Sequence, residues 1–219
     1  MRPIAAPSEP SPPLAYFEGL YAADPDPWGF ETRWYEQRKH ALTVASLPWS
    51  RYQNAFEPAC GNGRLTRLLA PRCDALLAAD GVGSAVRRAR RRLRHRPGVQ
   101  VEQRRLPEEW PADTFDLIVI SEFLYYLTPD PLARAIGMIV ATLRPQGTLV
   151  AVHWRHPVAG YPTSGDAVHR ALRSEPGLGI LSQHEEEDFL LDVLVRRDGL
   201  EPVRSVAATT GVPGSGDAP

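Results

Sequence analysis

Phe56-Glu57-Pro58-Ala59-Cys60-Gly61-Asn62-Gly63-Arg64-Leu65-Thr66 reads as a strand that runs into a tight glycine turn, with a helix directly behind it. Glycines at 61 and 63 let the backbone take unusual dihedrals and approach a ligand with no Cβ in the way. The helix N-terminus beyond them offers free N–H groups to an anion. Glu57, at the inner end of the strand, can accept from a ligand or fix the turn. A lone Gly-x-Gly is also a common structural turn. A dinucleotide-binding turn wants a third glycine three positions on, where the helix packs closely on the strand, and here that position is Thr66. A nicotinamide site therefore fits poorly.

Working outward, compact apolar runs alternate with helical patterns. Strands are expected at Ala55–Ala59, Ala75–Ala79, Val99–Gln103, Phe115–Ser121 and Thr148–His153, with helices near Arg64–Leu69, Ser84–Leu93 and Pro131–Leu143. A run as apolar as Leu117-Ile-Val-Ile120 suits a parallel strand covered by helices on both faces. Such alternation predicts a doubly wound α/β sheet. Ile180–Gln183 and Phe189–Val195, separated by His184-Glu-Glu-Glu-Asp188, read as a closing antiparallel hairpin. Ahead of the sheet, Leu14–Tyr21 and Phe30–Leu47 have helical periods and flank the turn-rich Asp24-Pro-Asp-Pro-Trp28-Gly. The second strand ends in Leu77-Ala-Ala-Asp80-Gly81, about 20 residues after the glycine turn, where a carboxylate can hold the two hydroxyls of a ribose. Alone, Asp80 serves equally well as a loop cap. Paired with the glycine turn, it points to an adenosine-containing ligand.

The chain has 219 residues, a formal net charge of −1 and 43% hydrophobic content. That suits one domain over 14–198, with 14–47 as a helical lid, a flexible lead over 1–13 that holds five prolines, and a tail over 199–219 expected to fray from Ala207 onward. Near-zero charge argues against a general polyanion binder. Arg87–Arg96 holds seven arginines in ten residues; a nucleic-acid footprint is one reading, a solvated helix face the plainer one. No apolar segment resembles a secretory signal or reaches the roughly 18 residues of a membrane span. Cys60 and Cys73 read as reduced thiols of a cytoplasmic protein.

As a set, these features resemble class I S-adenosylmethionine-dependent methyltransferases, and more narrowly the NodS-like group, over roughly residues 15–197. The likeness rests on Asp24-Pro-Asp-Pro-Trp28, Glu36-Gln-Arg38-Lys-His40, Glu57…Gly61-x-Gly63, Leu106-Pro-Glu-Glu-Trp-Pro111, Phe115-Asp-Leu-Ile-Val-Ile-Ser-Glu122-Phe-Leu-Tyr-Tyr-Leu127 and Leu143-Arg-Pro-Gln-Gly147. It implies a mostly parallel, seven-stranded Rossmann-like sheet under an N-terminal helical lid. It also implies S-adenosylmethionine as cofactor, leaving as S-adenosylhomocysteine. On that pattern Glu57, Gly61 and Gly63 hold the methionine part, Asp80 with Gly81 the ribose, and Leu106 the adenine. Ser121 and Glu122 line the groove, and Trp28 is a further cofactor contact or a staple of the lid segment. Where the family often has an acid before the adenine-facing hydrophobe, this chain has Arg105.

Methyl transfer is an in-line displacement from a sulfonium, so positioning contributes most. The cation suits aromatic faces, for which Trp28, Tyr125, Tyr126 and Trp154 are candidates; both tyrosines serve equally as core residues. His153 follows the fifth strand at the ligand-binding edge and could act as general base, with His156, His169 and Glu122 as alternates. It could equally be a structural hydrogen-bonding residue. Tyr161–His169 opens a helix with Ser164 or Asp166 near its cap, and its polar groups suit a hydroxyl-rich acceptor such as the saccharides and amino sugars of NodS-like enzymes. The histidine spacing does not resemble a zinc site; a divalent ion on oxygen ligands is left open. O- and N-acceptors are both open, as is a monomer or homodimer. A non-catalytic cofactor-binding protein and a dinucleotide-dependent oxidoreductase are the alternatives.

Overall fold

The apolar runs around the glycine turn form the centre of a seven-stranded sheet. The computed structural model describes residues 10–197, 199 and 203–215. Its strands are β1 Tyr52–Pro58, β2 Cys73–Asp80, β3 Val99–Gln103, β4 Phe115–Ser121, β5 Leu143–Trp154, β6 Leu178–Glu185 and β7 Phe189–Arg196. They lie in the order β3-β2-β1-β4-β5-β7-β6. The first five pair in parallel, while β7 pairs antiparallel to β5 and β6.

Strand β4 shows why its sequence carries no polar alternation. Ile118 and Ile120 enter one buried cluster with Phe56, Leu149 and Leu194. Leu117 and Val119 enter a second with Ala55, Leu76, Val150 and Val193. Each face is covered, and each fully buried aliphatic side chain contributes about 1.5–3 kcal/mol.

Between the strands run α3 Arg64–Leu69, α4 Gly83–Leu93, α5 Pro129–Thr142 and α6 Gly165–Arg173. Helix α6 starts at Ser164, whose hydroxyl accepts from the Ala167 amide at 3.2 Å. The lid is α1 Leu14–Ala23 and α2 Trp34–Ala45. The helix expected over Phe30–Leu47 starts only at Trp34 because Asp26 takes the Phe30 and Glu31 amides at 3.0 Å and holds residues 26–31 as a turn. Strand β5 extends back to Leu143, with Gln146 at φ 60°. The tail differs from a frayed end in its described part. Ser205 caps α7 Val206–Thr210 through the Ala208 amide at 3.1 Å. Residues 1–9 of the lead and 198, 200–202 and 216–219 lie outside the described residues.

The strand order reverses between β1 and β4, whose next strands lie on opposite sides of the pair. The crevice beyond the carboxyl ends of strands at such a point is where open α/β sheets bind ligands. Among the described residues, no helix is long and apolar enough to cross a membrane.

Candidate active site

A cavity of about 720 Å³ opens over the ends of β1, β2 and β4, beneath α1 and α2. That volume falls in the range of about 300–1,000 Å³ usual for small-molecule sites.

Its floor is the glycine turn. Asp80 is buried, and its carboxylate accepts from the Gly61 amide at 2.9 Å and the Val82 amide at 2.8 Å. The carboxylate thereby locks the ends of β1 and β2 together and leaves one lone pair per oxygen for a ligand. Burial pushes its pKa up, against the pull of those two amides. The two glycines have separate jobs. A Cβ at Gly61 (φ 53°) would stand 2.8 Å from the Tyr21 hydroxyl, inside the cavity. A Cβ at Gly63 (φ 76°) would stand 2.9 Å from Ala89 Cβ on α4. Gly63 therefore permits helix packing and does not line the cavity, which corrects its expected place beside a ligand.

Glu57, next to last in β1, is 2% exposed, and its Oε2 has no hydrogen-bond partner. Burial pushes its pKa up to about 8. Four further atoms of residues lining the same cavity lack a hydrogen-bond partner: His40 Nδ1 and Arg64 Nε, and on the lid Tyr35 Oη and Glu36 Oε2. Burial, together with the Lys39 and Arg64 charges, lowers the His40 pKa to about 3, so its ring is neutral. An acid, a neutral ring and a guanidinium thus await partners. A zwitterion offers both charges they lack.

At the other end stands Glu122, in a left-handed conformation (φ 55°) that non-glycine residues seldom adopt. Its Oε1 accepts from Lys39 Nζ at 2.7 Å. Its Oε2 accepts from the Tyr125 hydroxyl at 2.7 Å and the Trp154 amide at 3.0 Å. Lys39 also lies 3.1 Å from Glu36 Oε1 and 4.9 Å from the Tyr35 ring centroid. Burial works against the Lys39 charge, but Glu122 and Glu36 outweigh it and hold the pKa above its usual value. Tyr125 stacks on Tyr161 with centroids 5.7 Å apart, and Trp154 meets Tyr35 edge-on at 5.6 Å.

The cavity brings together Trp28, Glu57, Gly61, Asp80, Gly81 and Leu106 at one end. Ser121, Glu122, Tyr125, Tyr126 and Trp154 join them from the other. The three histidines expected as bases are elsewhere. His153 and His169 have no exposed surface and do not line the cavity. The Leu124 amide donates to His153 Nε2 at 3.3 Å, His153 Nδ1 lies 3.1 Å from His169 Nε2, and His169 Nδ1 lies 2.7 Å from Asp192. Burial, with His169 and Lys39, drives the His153 pKa well down. His156 pairs at 2.8 Å with Asp188, outside the cavity. A base must reach the proton it takes, so none of the three fits that role, and His169 does not fit as an acceptor contact.

Residues without an expected role surround the site: Arg33, Tyr35, Glu36, Lys39 and His40 from the lid, Arg64 from α3 and Glu108 beside Leu106. Glu36, Lys39, His40 and Thr43 are all buried. Polar residues at i, i+3, i+4 and i+7 of one helix face were the available signal. The turn that carries Trp28 and Phe30 is tied to the glycine turn, because Asn62 donates to Asp26 at 3.1 Å. Arg92 braces it by donating to Asn62 Oδ1 at 2.7 Å and pairing with Glu31. Arg90 donates to the Val101 carbonyl at 2.9 Å. Two of the α4 arginines thus serve the fold. Among the described residues, no three His, Cys, Asp or Glu side chains converge as a metal site.

The order of the strands, the glycine turn at the switch point and the acid on the neighbouring strand are those of a class I S-adenosylmethionine-dependent methyltransferase. The family model for Nodulation protein S (NodS) matches residues 19–161. The chain belongs to that family. It is 32% identical over 180 residues to Nodulation protein S of Rhizobium tropici, covering 78% of this chain and 75% of the relative. The N-methyltransferase NodS of Bradyrhizobium japonicum WM9, solved with S-adenosylhomocysteine, is 26% identical with TM-score 0.76, covering 84% of this chain and 98% of that one. A Pseudomonas syringae structure assigned to the methyltransferases is 48% identical with TM-score 0.67, covering 75% of this chain and all of that one. S-adenosylmethionine is the cofactor, and the orphaned atoms of Glu57, His40 and Arg64 match the charges of its zwitterionic end.

Proposed function

We propose that this methyltransferase places the methyl group on the nitrogen of a small amine-bearing acceptor, of the amino-sugar class. The observation that carries the reading is that Glu122 and the three histidines are unavailable as bases at the acceptor end. Both Glu122 oxygens are engaged, and His153, His169 and His156 do not face the cavity. A hydroxyl needs a base to remove its proton during transfer, whereas a neutral amine attacks with its own lone pair. The Bradyrhizobium japonicum relative is itself an N-methyltransferase, which points the same way. The stacked Tyr125 and Tyr161 offer flat apolar faces to a sugar ring.

Bound S-adenosylmethionine supplies an electrophilic methyl group on a sulfonium. Glu57 would hold its α-ammonium, Arg64 and His40 its carboxylate, and Asp80 its ribose. Leu106 would pack on the adenine, with Ser121 and Trp28 lining the groove. The aromatic faces favour the sulfonium and exclude water. Buried free thiols at Cys60 and Cys73 suit a reducing compartment, so we assign the enzyme to the cytoplasm.

The test is transfer of isotope-labelled methyl from S-adenosylmethionine to glucosamine and glucosamine oligomers, their N-acetylated forms, and simple polyols. Uptake on the free amines, rising with pH as they deprotonate, is expected. Uptake confined to hydroxyl groups would overturn the assignment.

A further inference from the structure

We propose that His169 and Asp192 are positioning residues for methyl transfer: they fix the tautomer of His153, which holds the Glu122–Tyr126 turn in its working shape. The inference rests on reading that turn as the acceptor wall.

The turn needs holding. Glu122 is left-handed at φ 55°, and a short 3-10 turn over Leu124–Tyr126 follows at once. Three successive residues at the end of β5 secure it. The Val152 carbonyl accepts from the Glu122 amide at 2.9 Å, His153 Nε2 accepts from the Leu124 amide at 3.3 Å, and the Trp154 amide donates to Glu122 Oε2 at 3.0 Å. Of the three, only His153 offers an atom that could be either donor or acceptor.

A backbone amide is always a donor, and this fixes the rest of the chain. His153 Nε2 must carry no proton, so the proton sits on Nδ1 and is donated to His169 Nε2, 3.1 Å away. His169 Nε2 is then the acceptor, so its proton is on Nδ1 and goes to Asp192 at 2.7 Å. A doubly protonated His169 would donate to His153 Nδ1 and leave His153 with no proton at all. Arg173 completes the series with two bonds to Asp192, Nε at 2.7 Å and Nη2 at 2.9 Å. That guanidinium matches the charge of the carboxylate. Both imidazoles and Asp192 are fully enclosed, so no water can substitute for a lost member.

The experiment uses the full chain with ¹⁵N-labelled histidine. At pH 7, the ring-nitrogen shifts of His153 and His169 should both report a proton on Nδ1; a proton on Nε2 of either ring overturns the proposal. His169→Leu removes the acceptor for His153, and His169→Gln restores one through its side-chain oxygen. Exchange of the Leu124 amide should quicken at least about tenfold in His169→Leu and stay near wild type in His169→Gln. Unchanged exchange in folded His169→Leu would refute the link. If His169→Leu does not fold, the Gln variant decides: loss of Leu124 protection in a folded His169→Gln counts against the proposal. On any acceptor that the wild type methylates, kcat should fall about 10–100-fold in His169→Leu, with S-adenosylhomocysteine affinity held within about threefold. An equal loss of cofactor affinity would mark the residue as merely structural. The shift and exchange readouts need no acceptor, so failure of the amine assignment leaves them intact.

Discussion

Cofactor binding should release a proton from Glu57. In the ligand-free protein this carboxyl is buried, and its pKa is pushed up to about 8. At pH 7 it is therefore about nine-tenths protonated, a neutral group with an orphaned oxygen. The α-ammonium of the cofactor needs the carboxylate, so binding must draw the proton off. With a bound-state pKa below about 5, affinity scales as the ionised fraction of the free protein. Between pH 6.0 and 7.5 that fraction rises about 25-fold, equivalent to about 2 kcal/mol. Calorimetry with S-adenosylhomocysteine over this range, in two buffers of different ionisation enthalpy, reads both the slope and the released proton. His40, at about 3, stays neutral throughout. Glu57→Gln should flatten the pH profile and abolish the buffer dependence. A flat wild-type profile, or an equal slope in Glu57→Gln, would refute the reasoning. The same shift has a stability consequence of fixed sign. A folded pKa above the unfolded value of about 4.5 stabilises at low pH, and that benefit is lost as pH rises toward 8. The Tm of ligand-free Glu57→Gln should therefore gain on wild type from pH 5 to pH 7.5.

Gly61→Ala should weaken S-adenosylhomocysteine binding more than about tenfold, because the new methyl enters the cavity beside Tyr21. Gly63→Ala should instead cost about 1–3 kcal/mol of stability, read by denaturant unfolding, with affinity in the folded fraction unchanged. Asp80→Ala strands the Gly61 and Val82 amides as well as the ribose hydroxyls, and should weaken S-adenosylhomocysteine binding by about 1–3 kcal/mol in calorimetry. Lys39→Met leaves Glu36 and Glu122 without their shared cation, and should destabilise the protein by about 3–5 kcal/mol in thermal unfolding. His156→Ala should leave methyl transfer within about twofold, since its ring pairs with Asp188 where water screens the contact.

Sequence periodicity reveals the fold because burial on a sheet is a local demand. Leu117-Ile-Val-Ile120 must be apolar on both faces wherever it sits between helices, and that needs no knowledge of its neighbours. The cavity floor is legible for a similar reason: Gly61 and Asp80 lie at the ends of adjacent strands, within one βαβ unit. The two glycines look alike in the sequence, but their tasks differ through Ala89, a residue on the next helix. The acceptor end was hidden by long separations. Lys39 and Glu122 stand 83 positions apart, and only the packing of the lid over β4 makes them partners.

The histidines show the same limit from the opposite side. His153 stands at the strand end where a base would be expected, yet its role is set by the Leu124 amide on one side and His169 on the other. Its position along the chain tells which strand carries it; only the enclosing groups tell whether a proton can leave. Here every ring nitrogen in the pair is already committed, so the ring can orient a neighbour but cannot exchange protons with an acceptor without breaking the chain of bonds. The reactive end of the cavity thus carries a carboxylate held by three donors, and it is on this that the proposal of an acceptor bringing its own lone pair rests.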